Sequence, residues 1–311
     1  MTLAVVAVGG NAISPPKDPS LAGMRSRIAV TAARLADLAE SGFELVVTHG
    51  NGPQVGSILL QNEEARHKVP AMPLDVCVAE SQAQVGYLLQ QALQNEFAAR
   101  GGSRAVASVV TQVVVDPEDP AFREPTKPIG PTYESEQELV VRRAKGWRMA
   151  RDSRGGWRRV VPSPRPLEVV EKDLITALLR AGDSKVLIAA GGGGVPVVRR
   201  GKALVGVEAV IDKDLASAVL GNAIGADLLL VLTDVPRVAL DFGTPRQVDL
   251  ERLTPAEARH HLQAGQFPPG SMGPKIEAAL QFLEGGGKRV VVTDIDHVLE
   301  AVSGRAGTTI A

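Results

Sequence analysis

The sequence predicts an α/β protein: a three-layer α/β/α sandwich with a mainly parallel central sheet, plus a small protruding subdomain. Three observations lead there. Short continuous apolar runs alternate with longer segments of helical periodicity, as strands buried on both faces and their covering helices require. Glycine-rich turns follow several of those runs. A proline-dense stretch, then a segment of different composition, breaks the alternation after residue 115. With 311 residues, 44% hydrophobic and 22% charged, the chain can bury a real core and is not a disordered sequence. We read residues 1–311 as a single domain with the subdomain inserted at 132–166.

The apolar runs at 3–8, 43–47, 105–115, 185–190, 227–232 and 289–292 read as strands. Helical patterns cover 24–40, 55–66, 75–100, 171–180, 212–223, 255–263, 274–283 and 295–302. In the first helix Ile28, Leu35 and Leu38, with alanines between them, make an apolar stripe, and Gly42 follows as a stop signal. Thr254 and Pro255 supply an N-cap and a proline at the first helical position.

Residues 116–131 hold five prolines, Pro117, Pro120, Pro125, Pro128 and Pro131. Such a stretch cannot be a helix or a central strand, but its fixed φ angles suit it to hold one side chain in place, and Lys127 sits in it. The subdomain after it contains both tryptophans, Trp147 and Trp157, and eight basic residues from Arg142 to Arg159. We expect β-hairpins around Gly146 and Gly155-Gly156. The basic excess reads as a solvated surface or as an attractor of anions toward a nearby cleft.

Bulk charge nearly cancels, 34 Lys+Arg against 35 Asp+Glu, so no nucleic-acid partner is expected. Cys77, the single cysteine, excludes an intrachain disulfide and reads as a small buried hydrophobe. No apolar run reaches membrane-spanning length, and the first residues lack a basic n-region, so a cytoplasmic protein without a membrane partner is expected. The five histidines show no metal-ligand spacing, and we assign no metal ligand to the chain.

Glycine numbers 32, about ten above the usual share of about 7%. The surplus concentrates in four loops: Gly9-Gly10-Asn11, Gly50-Asn51-Gly52, Gly191 to Gly194, and Gly270-Ser271-Met272-Gly273. At strand ends and helix starts such loops let backbone N–H groups approach a phosphate. Neither a P-loop pattern nor a well-spaced dinucleotide fingerprint is present, which argues against a P-loop NTPase and a dehydrogenase. Lysine is the minority cation, ten against 24 arginines, yet lysine is the cation in Pro125 to Pro131 (Lys127), in Ile211-Asp212-Lys213-Asp214 and in Gly273-Pro274-Lys275. A compact point charge suits that role better than a planar fork.

Taken together these motifs resemble the carbamate kinases of the amino-acid kinase superfamily. The likeness runs from Gly9-Gly10-Asn11 through Thr48 to Gly56, Met72 to Cys77, Thr111 to Val113, Pro125 to Pro131 and Arg159 to Pro164. It continues through Gly191 to Gly194, Glu208 to Ser217, Leu232 to Val235, Gly270 to Lys275 and Ala306 to Thr308. The resemblance implies reversible phosphoryl transfer between ATP and carbamate, giving ADP and carbamoyl phosphate with Mg²⁺, run toward ATP in arginine catabolism by a homodimer. It places Lys127, Lys213, Asp214 and Lys275 in catalysis. It gives Gly9, Gly10, Asn11, Gly50, Asn51 and Gly52 to the carbamate and transferring phosphoryl group. Gly191, Gly192, Thr233, Asp234, Ser271, Met272 and Lys275 would serve the nucleotide. The alternatives are a family enzyme acting on another small carboxylate, and a nucleotide-binding regulator without activity. Ala239 and Pro236 depart from the family pattern on the side expected to line the base. Glu80 and Ala83 depart as well, and we expect Glu80 to point away from the anions or to pair with a cation.

Overall fold

In the computed structural model, which describes residues 2–15, 17–152, 155–181 and 185–311, the chain opens with strand β1 (Thr2–Val8). It continues through α1 (Leu21–Glu40), β2 (Phe43–His49), α2 (Gly52–Ala65), α3 (Leu74–Ala99), β3 (Ala105–Ser108) and β4 (Gln112–Val115). A small unit follows: β5 (Lys127–Tyr133), α4 (Glu136–Ala144), β6 (Met149–Arg151) and β7 (Trp157–Val161). Next come β8 (Pro166–Val169), α5 (Lys172–Arg180), β9 (Lys185–Ile188), β10 (Val195–Arg200), β11 (Ala203–Gly206) and α6 (Lys213–Ile224). Then follow β12 (Leu228–Leu232), β13 (Val238–Leu240), β14 (Val248–Leu250), β15 (Arg252–Leu253) and α7 (Pro255–Gln263). Helix α8 (Met272–Glu284), β16 (Arg289–Thr293), α9 (Val298–Val302) and β17 (Thr308–Ile310) close the chain.

Eight strands form the central sheet in the order β15-β17-β16-β12-β1-β2-β9-β3. The pairs from β16 through to β3 are parallel, and β17 runs antiparallel to β16. Alternation along β1 creates two cores: Val5 faces one, and Ala4, Val6 and Val8 face the other. The first is filled by Ile175 of α5, Leu220 of α6, Ala258 of α7 and Phe282 of α8. The second is filled by Ile28 and Leu35 of α1, Leu89 and Phe97 of α3, and Val298 of α9. This is the expected three-layer sandwich. The α7 start forms a capping box, Thr254 accepting from the Glu257 N–H while the Glu257 carboxylate accepts from Thr254.

Two expectations need correction. The run 105–115 is not one strand: β3 belongs to the central sheet, whereas β4 pairs with β10 and β8 in a second sheet ordered β11-β10-β4-β8. The break is at Thr111, whose backbone is clamped on both sides by the Gln82 amide, at 2.9 and 3.0 Å. Continuous apolar character hides such a break, because both halves are buried. The hairpin expected at Gly146 is instead the end of helix α4, with Gly146 at φ +82° past its C-cap. The hairpin between β6 and β7 does form around Gly155-Gly156.

The proline stretch becomes β5 in its second half, at the edge of the three-stranded sheet β5-β7-β6, where Pro128 and Pro131 are tolerated. Tyr133, Leu139 and Trp147 form a small core under this sheet. Among the described residues, several of its basic side chains are engaged. The Arg142 guanidinium lies over Tyr133 and Trp147, Arg143 over Trp157 and Arg159 over Trp147, while Glu63 and Glu64 of α2 pair with Arg159 and Arg142. Cys77 is fully buried, as expected, in the cluster joining α2 and α3 to the four-stranded and three-stranded sheets. Among the described residues no helix is long and apolar enough to cross a membrane.

Candidate active site

Ligand crevices in open α/β sheets lie at the carboxyl ends of the strands, where the chain direction across the sheet reverses. Here that point is β1, flanked by β2 on one side and β12 on the other. Gly9 and the single helical turn Gly10–Ala12 follow β1; Gly50, Asn51 and the start of α2 follow β2; Thr233 and Asp234 follow β12. The loops meet. Gly50 lies against Gly10 and the Lys213 side chain, so that a Cβ added to it would stand 3.7 and 3.6 Å from them. The Asn11 amide donates to Asp234 Oδ2 at 2.5 Å, joining the first loop to the third.

Helix α6 begins here because Asp212 caps it, Oδ1 accepting from the Asp214 N–H at 2.9 Å. Its first turn carries Lys213 and Asp214. The Lys213 ammonium donates to Asp214 Oδ1 at 2.5 Å, and Lys275, from the first turn of α8, donates to Asp214 Oδ2 at 3.1 Å. Lys127, at the start of β5, donates to Asp212 Oδ2 at 2.5 Å. Three lysines from three separate segments are thus wired to two aspartates of one motif, which leaves one net positive charge. The Asp214 side chain is only 3% exposed and Lys127 is 27% exposed, so the aspartate sits beneath the cluster and Lys127 faces the cleft.

Burial works against the charge of Asp214, yet Lys213 and Lys275 hold its carboxyl well below the usual carboxylate range. Asp212, partly buried, is likewise held low by Lys127. Burial and the charge of Lys275 lower the Lys213 ammonium, with Asp214 opposing. For Lys275 burial is outweighed by Asp214 and Asp212, and its ammonium is raised. Neither aspartate is a candidate base, since each is held below the usual carboxylate range, a weak proton acceptor, and is already paired with lysine. The cluster can hold crowded anionic oxygens.

The four catalytic expectations, Lys127, Lys213, Asp214 and Lys275, therefore come together, as do Gly10 and Gly50. Gly52 begins α2 beside Pro128, next to Lys127. Ser271, whose carbonyl accepts from Lys275 at 3.3 Å, and Met272 stand at the start of α8. Asn51 is buried and donates to Ser81 Oγ at 2.8 Å. Gly191 and Gly192 lie in a buried turn that packs on His49 and Asn51 of the β2 loop. Glycine at 192 has a packing cause: φ is +63° and a Cβ would come within 2.1 Å of the Asn51 amide. Glu80 is exposed on α3, whereas Ala239 is buried in β13 opposite Asp249.

The profile of the amino acid kinase family matches residues 2–294. The chain belongs to the amino acid kinase family. "Carbamate kinase" of Halobacterium salinarum is 49% identical over 314 residues, covering 100% of this chain and 98% of that protein. "Carbamate kinase" of Pyrococcus furiosus is 44% identical over 309 residues, covering 98% of each. Among solved structures, carbamate kinase from Giardia lamblia bound to AMP-PNP superposes with a TM-score of 0.90 at 38% identity, covering 99% of this chain and 98% of that one.

In this amino acid kinase several site-forming residues carry no signal that sequence reasoning picks out. Ser81 and Gln82 of α3 secure Asn51 and Thr111. The Arg158 side chain, buried in the small sheet, donates from Nε to the Gly130 carbonyl at 3.1 Å and lies beside Gly52. Asp212 reads from sequence only as part of a helix start. Its alternation with Asp214 around Lys213 is the available signal, but spacing alone cannot name the partner 85 residues away.

Proposed function

We propose that this chain is a carbamate kinase, transferring a phosphoryl group reversibly between ATP and carbamate to give ADP and carbamoyl phosphate. The observation that carries this reading is the wiring of Lys127, Lys213 and Lys275 onto Asp212 and Asp214 at the mouths of the glycine loops. Full-length identity to carbamate kinases supports it.

In the forward direction a carboxylate oxygen of carbamate bonds to the γ-phosphorus as the bond from phosphorus to the β-bridging oxygen of ATP breaks. Carbamate is already an anion, so no proton must leave and no general base is needed. What the step demands is in-line placement and neutralisation of crowded oxygens. Gly9, Gly10, Asn11, Gly50, Asn51 and Gly52 would seat the carbamate and the transferring group, with the N–H groups at the α2 start adding a favourable dipole. Lys213, packed against Gly50, and Lys127 would face the equatorial oxygens, and Lys275 the nucleotide phosphates, beside Thr233, Asp234, Ser271 and Met272. Gly191 and Gly192 would back this pocket. Asp214 would orient the two lysines it holds.

Mg²⁺ belongs to the proposal as a companion of the nucleotide, lowering the negative charge of its phosphates. Among the described residues no three His, Cys, Asp or Glu groups converge, and the carboxylates of the cluster already hold lysines. That donor set fits an ion ligated by phosphate oxygens and water. The proposal further includes a cytoplasmic homodimer working toward ATP in arginine catabolism, with residues 132–166 as a subdomain covering the carbamate side.

A coupled assay of ATP formation from ADP and carbamoyl phosphate tests the reading. Turnover is expected for the wild type. Lys127→Ala and Lys213→Ala should each cost on the order of 10²–10³-fold in turnover with ADP affinity nearly unchanged. Nucleotide binding without turnover would point to a regulator, and phosphorylation of another carboxylate in place of carbamate to the sister activity.

A further inference from the structure

We propose that Asp212 is the positioning residue for Lys127, so that the start of α6 places an ammonium that the small sheet delivers. The inference rests on the phosphoryl-transfer reading above, which gives Lys127 a role but no anchor.

Lys127 arrives on an edge strand with Pro125 and Pro128 on either side, and its long flexible stem can place the ammonium in many positions. Its partner cannot wander. Asp212 Oδ1 is bound by the Asp214 N–H at 2.9 Å, which leaves Oδ2 aimed at Lys127 at 2.5 Å. Helix α6 is itself fixed: Leu215, Ala216, Ala218 and Leu220 are buried, and Ser217 Oγ meets Thr48 Oγ1 of β2 at 2.6 Å. The carboxylate is therefore a rigid reference point tied to the strand that carries Gly50.

Charge supports the same conclusion. Lys213 and Lys275 each take one oxygen of Asp214, whereas Lys127 pairs with Asp212. Without Asp212, Lys127 would lose the carboxylate that holds its ammonium in place. The Asp-Lys-Asp spacing thus divides the work: Asp214 organises Lys213 and Lys275, and Asp212 draws in the lysine from the small sheet.

Asp212 also caps α6, so the test must separate the bridge from the cap. Asp212→Ser keeps a capping hydroxyl that is too short to reach Lys127, and Asp212→Asn keeps the cap with a neutral acceptor. Both should retain a near-wild-type Tm. Turnover on ADP and carbamoyl phosphate should fall about 10- to 100-fold, with the KM for ADP within about twofold. In a Lys127→Ala background, adding Asp212→Ser should change turnover by less than about threefold, because the residue it positions is gone. An undiminished loss in that background would overturn the proposal. So would a lower KM for carbamoyl phosphate with unchanged turnover, which would make the bridge a resting contact that substrate must break. An arm independent of activity reads reductive methylation of Lys127 by mass spectrometry. Asp212→Ser should raise its rate at least about fivefold as the ammonium is released. An unchanged rate would sink the positioning role even if the wild type proved inactive on carbamoyl phosphate, an outcome that by itself would remove only the functional reading.

Discussion

His49 ends β2 fully buried, its Nδ1 3.1 Å from the Gly50 carbonyl oxygen and its ring edge against Gly191. Burial, aided by the Lys213 charge, pushes the imidazole down from 6.5 to about 4. The unfolded chain therefore binds a proton between pH 6.5 and about 4 that the native state refuses, and stability must rise with pH across that window. Acidification from pH 7 to about 4 should cost up to about 3 kcal/mol from this group alone. Denaturant titrations of wild type and His49→Gln check it: the variant should show a shallower loss between pH 6.5 and 4.5. Parallel slopes would mean that His49 is not held neutral. The residue stands inside the Thr48–Gln54 motif that carries the family resemblance. Nevertheless its burial follows from the turn at Gly191, which lies 142 positions along the chain, and no reading of the motif could supply it.

Strand β5 and helix α2 meet at a point where neither can yield. A Cβ at Gly56 would stand 2.0 Å from the Gly130 nitrogen, a backbone atom, and Gly130 itself has φ +70°. This contact seats the small sheet, and hence Lys127, on the domain. Gly56→Ala should therefore lose about 2 kcal/mol of stability or more and lower turnover beyond what the loss of folded protein explains. Guanidinium unfolding together with turnover per folded molecule measures both, and unchanged turnover would separate the seat of the sheet from the placement of Lys127. At this scale the long helices and the main-sheet strands are legible in the sequence, because the apolar period of α1 and the continuous runs of β1 and β12 reflect burial directly. The short strands β8, β10, β11, β13 and β14 are not. Several are largely exposed, and β8 and β10 pair with β4, remote in sequence, although β10–β11 and β13–β14 are local hairpins.

Over the whole molecule, the lysine cluster joins parts that otherwise belong to different layers: the small sheet through Lys127, one helical face through α6 and α8, and the strand ends through Gly10 and Gly50. Ligand binding should then be felt globally. ADP at about a hundredfold its Kd should stabilise the native state by about 2.7 kcal/mol, or about 4 °C in Tm. The shift should persist in Lys127→Ala and shrink in Lys275→Ala, whose ammonium lies on the nucleotide side. Differential scanning fluorimetry decides this, and equal shifts in the two variants would contradict the division of roles.

Composition and periodicity were enough to set the layered α/β class, the glycine loops at strand ends, and the residue types that make up the site. Each of these is a local property of the chain. Which lysine meets which aspartate emerged only once the layers were packed. Packing also showed that Arg142, Arg143 and Arg159 of the small unit stack on its own rings, that Arg142 and Arg159 pair with α2, and that one apolar run splits between two sheets. These features depend on contacts between segments that are remote in the chain, and a side chain's partner is set by the packing of the layers that carry it.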